Sequence, residues 1–554
     1  MPHKTKSIVV YLLIALFFFL AGFTLNNSEL TIENIGKAAK LIGLEFTTSE
    51  SDSMLDELTD DLKAYQNIRK VEINNSIPPA INFNPVPVGF KLDTNYKNPV
   101  FSKPKNTILP ENMEELAFYS VRDLAELIRT QKITSLQLTK MYLNRLKKYG
   151  PRLECVVTLT EELALKQAER ADEEIKAAKY RGILHGIPYG AKDLLAVKGY
   201  KTTWGAMPYK DQTIDQDATV IKKLEQAGAV LIAKLTLGAL AWGDVWFGGK
   251  TRNPWNLEQG SSGSSAGSAS ATATGLVAFA IGTETWGSIV SPSTRCGTTG
   301  LRPTYGRVSR TGAMALSWTM DKIGPICRNV EDCAIVFDAI KGTDDTDQTL
   351  IDAPFNYNPD IDFKSLKIGY LADDFDIDYP DRENDLATLD VIRNMGLQLI
   401  PIKLPEIPVN SMGFILNAEA AAAFDDLTRS GKDDLMVRQI KNAWPNVFRA
   451  SRFIPAVEYI QANRLRYMLV QKMAELMEKV DIYIGPSLEG NNLLLTNLTS
   501  HPCVVVPNGF NEKGSPVSIS FTGRLFDEAT LLAFVKKYQD STDFHLKHPP
   551  MFLQ

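Results

Sequence analysis

Hydrophobic and polar positions along the chain fall into three successive patterns. An uncharged, mostly apolar run fills residues 8–25, behind Lys4 and Lys6 and ahead of polar Asn26, Asn27 and Ser28. No polar face interrupts it, so it predicts an export signal rather than a buried amphipathic helix. The run is long for a signal core and just long enough to span a bilayer, which leaves cleavage and membrane anchoring of residues 1–25 both open. No cysteine follows Leu20, Ala21 and Gly22, so a lipoprotein box is lacking. In residues 49–70 the pattern changes: Met54, Leu55, Leu58, Leu62, Tyr65 and Ile68 recur at three- and four-residue spacings in an acidic segment, which predicts a helix. Residues 77–110 then lose all periodicity and carry Pro78, Pro79, Pro85 and Pro87, the signature of an extended wrap. A boundary near residue 115 divides this extension, residues 26–115, from a body spanning residues 116–554.

The body alternates strand and helix patterns. Ser120 with Asp123 three residues on opens a helical face that continues into a second helix around residues 136–148. Short apolar strands are predicted within residues 182–193 (GILHGIPYGAKD) and over 228–235 (GAVLIAKL). Residues 260–274 (GSSGSSAGSASATAT) look like a flexible linker, but they abut the apolar run 276–281 directly, so residues 266–274 fit a closely packed helix better. Residues 366–371, 384–395 and 397–404 read as strand, helix and strand. A long helix over 458–479 and a strand at 481–484 follow. The fold class is α/β, with a mixed or parallel sheet and helices on both faces.

Composition narrows the function classes. The chain has 554 residues, 44% hydrophobic and 23% charged, enough to bury a large core. Its 60 Lys+Arg against 65 Asp+Glu give a formal charge of -5, so a chain-wide basic field of the kind that holds nucleic acid is not encoded. Five cysteines without C-x-x-C spacing suggest neither a disulfide framework nor a zinc site, and no metal or cofactor is expected.

Histidine, the commonest base for a serine nucleophile, is scarce: His3, His185, His501, His545 and His548 are the full set. Residues 263–267 satisfy G-x-S-x-G with Ser265 as nucleophile, and His501 follows in suitable chain order. Such an elbow needs a strand directly before it, whereas residues 253–259 are polar and Pro-broken, which predicts a loop. A second cluster suits acyl transfer better. After residues 276–281 and Gly282, residues 283–289 (TETWGSI) predict a turn that presents several N–H groups beside the Ser288 hydroxyl, although an ordinary strand-end turn has the same pattern. Without a histidine the base would be a lysine, neutral in only about one molecule in 2,500 at pH 7 unless burial lowers its pKa of about 10.4. Lys192 and Lys234 qualify on the same grounds, and an ion-paired structural role is the simpler reading of either.

Taken together these segments resemble the amidase signature family. The resemblance rests on residues 262–312 (SGSSAGSASATATGLVAFAIGTETWGSIVSPSTRCGTTGLRPTYGRVSRTG), on Tyr189-Gly190-Ala191-Lys192-Asp193 and on Asp321-Lys322-Ile323-Gly324-Pro325, and it covers roughly residues 113–550. The G-T-E-T-x-G-S-I form is more similar to peptide amidase and related bacterial amidases than to the amidase-like subunits of tRNA amidotransferases. The resemblance implies a large mixed sheet covered by helices and a Ser-cis-Ser-Lys triad. Ser288 would be the acyl-ester nucleophile, Ser264 the cis-peptide serine that relays its proton, and Lys192 the base, with the serines 288 − 264 = 24 residues apart as the family motif requires. It further implies an oxyanion hole from the N–H groups of Thr285, Trp286, Gly287 and Ser288, a supporting role for Ser265 and a structural one for Lys234. Trp286 and Ala266 replace family glycines, and Glu284 replaces an aspartate, without removing a catalytic atom. The expected activity is cofactor-free hydrolysis of a small-molecule carboxamide by an exported protein, periplasmic or extracellular, with an esterase using the same triad or an inert binding protein as alternatives. The substrate pocket is expected from the N-terminal wrap and residues 344–486.

Overall fold

The computed structural model describes residues 30–553; the predicted export segment, residues 1–25, and His3 lie outside them. The chain forms two compact units, Met1–Asn74 with Phe453–Pro455 and Asn75–Arg452 with Ala456–Gln554. In the described part of the first, helices span Ile32–Leu41, Thr48–Ser53 and Leu55–Ile68, so the predicted helix over 49–70 is present with a break at Met54. Its start is set by a capping box, in which the Thr47 hydroxyl accepts from the Glu50 N–H at 3.2 Å and the Glu50 carboxylate accepts from the Thr47 N–H at 2.7 Å.

The second unit begins at Asn75, so residues 75–115, read from the sequence as part of the extension, belong to the body by their contacts. They contain no regular strand and only the short 3₁₀ helix Met113–Phe118. Their backbone N–H groups turn to side-chain acceptors instead of a ladder: Ser102 donates to Glu331 at 2.8 Å, and Lys105 and Asn106 both donate to Asp123 Oδ1 at 2.7 and 2.9 Å.

One mixed sheet of eleven strands organises the body. In chain order these are β1 (Val156–Leu159), β2 (Pro188–Lys192), β3 (Val230–Leu235), β4 (Phe279–Glu284), β5 (Thr299–Arg302), β6 (Lys322–Cys327), β7 (Ile368–Leu371), β8 (Leu399–Ile402), β9 (Ile482–Pro486), β10 (Cys503–Phe510) and β11 (Pro516–Gly523). In space they run β1-β3-β2-β4-β6-β5-β10-β11-β9-β7-β8. β2 is parallel to β3 and β4, and β7 to β8 and β9; the remaining pairs are antiparallel. β3 reads Val-Leu-Ile-Ala-Lys-Leu without alternation because every one of its residues is buried, as expected of a strand covered on both faces.

The Gly/Ser-rich stretch is no linker. Ala266–Ala273 is a helix whose residues are all buried. Its small side chains follow from that packing: a Cβ at Gly267 would stand 2.5 Å from both the Cys155 carbonyl oxygen and the Thr236 nitrogen, so no larger residue fits. This close seating brings Ser264 and Ser265, just before the helix, to the ends of β2 and β4.

Candidate active site

Lys192 ends β2 and is fully buried. Its Nζ lies 2.8 Å from Ser264 Oγ, 3.0 Å from Ser265 Oγ and 2.8 Å from Thr283 Oγ1, and among the described residues it forms no ion pair. Burial therefore dominates its titration and brings its pKa down to about 7, against the weaker opposing pull of Asp321 and Glu284. The peptide bond between Gly263 and Ser264 is cis. Ser265 ties the site together, donating to the Thr283 carbonyl at 3.0 Å and accepting from the Thr283 N–H at 3.1 Å. Its own N–H donates to the Ser288 carbonyl at 3.1 Å, joining the two serine segments through their backbones.

Ser288 lies in the turn between β4 and the helix Val290–Cys296. Thr285, Gly287 and Ser288 are buried, while Trp286 is 43% exposed. Gly287 has φ +84°, a left-handed conformation that a side chain would strain. Among the described residues no protein acceptor takes the N–H groups of Thr285, Trp286, Gly287 or Ser288. Consecutive free donors in a buried turn are suited to an oxyanion.

Two carboxylates fix that turn from behind. Glu284 accepts from the N–H groups of Ile289 and Val290 at 2.8 and 3.0 Å, and pairs with Arg302 at 2.8 Å and Asn497 at 2.9 Å. Burial alone would raise its carboxyl, but Arg302 and the other donors outweigh that and hold it at about 2. Asp321 accepts from Thr285 Oγ1 at 2.5 Å and from the N–H groups of Leu316 and Ser317 at 2.8 and 2.9 Å. Sequence reasoning assigned no role to Thr283 or Asp321. Both sit inside the quoted motifs, but nothing in residue type or spacing names their partners.

Strand register separates the two lysines. Ala191 aligns with Lys234 and Lys192 with Leu235, so by alternation Lys192 and Lys234 project to opposite faces of the sheet. Asp193, the next residue, falls on the Lys234 side, and the two pair at 2.7 Å with both side chains fully buried. Lys234 also donates to Thr202 Oγ1 at 2.6 Å. The histidines are engaged elsewhere: His185 Nδ1 accepts from the Arg181 N–H at 3.1 Å, and His501 meets Thr499 Oγ1 at 2.9 Å, where burial holds it at about 3. His548 stacks on Phe118 with ring centroids 4.2 Å apart, and both it and His545 are brought down to about 4 by burial. Residues 253–259, expected as a loop, instead contribute to a two-stranded ribbon, Arg252–Asn253 with Asn256–Gly260, that is separate from the large sheet.

A cavity of about 500 Å³ opens beside the turn, with Thr283, Thr285, Leu194, Met314, Trp318 and Ile323 among its walls. This is within the size range of small-molecule sites.

Known proteins match most of the chain in sequence and fold. The family described as Amidase matches residues 137–532. A glutamyl-tRNA(Gln) amidotransferase subunit of Marinomonas sp. (strain MWYL1) is 32% identical over 480 residues, 78% of this chain and 98% of that protein. The solved peptide amidase of Stenotrophomonas maltophilia is 26% identical with a TM-score of 0.68, covering 77% of this chain and 98% of that one. A solved amidase family protein of Bacillus anthracis str. Ames is 27% identical with a TM-score of 0.70, covering 79% and 93%.

Proposed function

Since the chain belongs to the amidase signature family and is an amide-hydrolysing enzyme, we propose that it cleaves small-molecule carboxamides through an acyl-enzyme on Ser288. The observation that carries this reading is Lys192: a fully buried amine, unpaired with any carboxylate among the described residues, 2.8 Å from Ser264 Oγ. A lysine held near pH 7 by burial has a lone pair available to accept the Ser264 hydroxyl proton.

In this mechanism Ser264 takes the Ser288 proton as its own passes to Lys192 Nζ, and Ser288 Oγ bonds to the amide carbon. The N–H groups of Thr285, Trp286, Gly287 and Ser288 receive the negative oxygen of the tetrahedral intermediate. The proton on Lys192 returns through Ser264 to the leaving nitrogen, and the C–N bond breaks. Water then attacks the ester, gives its proton to the same relay, and releases the carboxylic acid with Ser288 restored. Hydrolysis needs no cofactor in this scheme.

An ester would follow the same route with a better leaving group, so matched substrates decide between the two activities. Primary amides and methyl esters of the same acids, assayed with purified protein, are expected to show amide turnover with release of ammonia. Turnover of the esters alone would overturn the amidase assignment.

We also propose that the protein acts outside the cytoplasm, periplasmic or extracellular, and membrane-anchored if residues 1–25 are retained. The support is Lys4 and Lys6 before the uncharged run 8–25. The intact mass of the native protein is expected to lack the N-terminal segment, or to be full-length in the membrane fraction. A full-length protein confined to the cytosol would contradict this.

A further inference from the structure

The cavity beside the catalytic turn has one wall that lies outside the residues matched to the family. Pro78, Pro79, Ala80, Ile81 and Asn82 line it, and they precede the first residue matched to the amidase family, 137, by more than fifty positions. This stretch is tied down at both ends. At one end the Asn75 side chain accepts from the Ala315 N–H at 2.9 Å and donates to the carbonyls of Ala315 and Ala423 at 3.0 and 3.2 Å. At the other, Phe83 meets Tyr305 edge-on with ring centroids 5.5 Å apart and carries the Arg466 guanidinium over its face at 3.6 Å. Between these anchors the Pro78-Pro79 pair restricts the backbone, so a ligand would order few additional torsions on binding. Ile81 is nevertheless 76% exposed. Set on a segment held on both sides of it, this side chain is available to contact something apolar that enters the cavity.

The charges around the cavity are already committed. Arg310 pairs with Asp347 at 3.3 Å, donates to the Trp318 carbonyl at 2.6 Å and Thr349 at 2.9 Å, and lies 4.7 Å over the Tyr305 ring. Asp321 is occupied by Thr285 and two backbone N–H groups, and the buried Lys322 amine donates to the Met320 carbonyl. A charged substrate group would be desolvated here without a partner. Leu194, Met314, Leu316, Trp318 and Ile323 offer an apolar one the burial it needs.

We propose that residues 75–83 are a substrate-selecting strap, which walls this cavity and makes the enzyme prefer carboxamides that carry an uncharged, apolar substituent. The proposal rests on the acyl-enzyme reading of Ser288, because it assigns the adjoining cavity to that site's substrate.

The test uses the full-length protein and three primary amides of one scaffold: an acetamide-sized one, one with a neutral phenyl substituent, and one with a cationic aminomethylphenyl substituent. The parent is expected to favour the phenyl amide over the small one by about tenfold or more in kcat/KM. Ile81→Asp, a surface change that spares the core, should lower the phenyl-to-small ratio by about tenfold, chiefly through KM, and raise the cationic-to-phenyl ratio. Asn75→Ala, which frees one anchor, should raise KM for the phenyl amide about threefold with little change in kcat. If both variants leave the ratios between substrates unchanged, the strap has no part in selection and the proposal fails. Parallel assays of Ser288→Ala keep the two claims apart, since persistent turnover there would sink the acyl-enzyme reading whatever the ratios show.

Discussion

Ser288→Ala is expected to lower kcat/KM for a primary carboxamide by about 10⁴-fold or more, as measured by ammonia release under conditions where the variant is folded. The substitution deletes one oxygen and disturbs little else. The contact that joins the serine segments uses the Ser288 carbonyl, which accepts from the Ser265 N–H at 3.1 Å and survives the change. Glu284 anchors the following turn through the N–H groups of Ile289 and Val290, so the free donors of residues 285–288 keep their arrangement. Any residual activity should reflect those donors acting on a water attack, a contribution seen when other serine hydrolases lose their nucleophile. Near-wild-type turnover would remove Ser288 from the mechanism.

Lys192→Ala should cost about 10³-fold or more at neutral pH, because among the described residues no other base approaches Ser264 so closely. The sharper result is in the pH profile. Burial lowers the amine from its ordinary range to about 7, and the form that accepts a proton is the neutral one. Parent kcat/KM should therefore be low well below pH 7, rise through about 7 and level off above it. The variant should lose that rising limb. Lys192→Met, which retains the side-chain volume without the amine, should behave likewise and guards against a simple packing defect. A limb unchanged in both variants would assign the titration to another group.

Much of this architecture was legible because hydrophobic runs and small-residue stretches have few ways to pack. GAVLIAKL predicted β3 since a fully buried strand needs no alternation, and the Gly/Ser-rich segment betrayed a packed helix by running straight into apolar residues 276–281. Lys192 and Lys234, by contrast, are equivalent on paper. What separates them is the register of β2 against β3, which sends one side chain toward Ser264 and the other toward Asp193. Register is a long-range property that composition does not report. For the same reason composition does not report the Thr285–Asp321 and Glu284–Arg302 contacts, as each joins residues brought together only when β4 and β6 or β5 are in place. The division at residue 115 followed a real change in composition. Yet the body's contacts start at Asn75, because side-chain acceptors such as Asp123 and Glu331 can hold a chain that has no periodicity of its own.

The most direct test of the account is to trap the acyl-type adduct and locate it. After brief incubation with a fluorophosphonate, the intact protein should gain one adduct, and peptide mapping should find it on Ser288, with none formed in Ser288→Ala. An adduct on Ser265, or no adduct on a protein that still turns over amide, would contradict the mechanism.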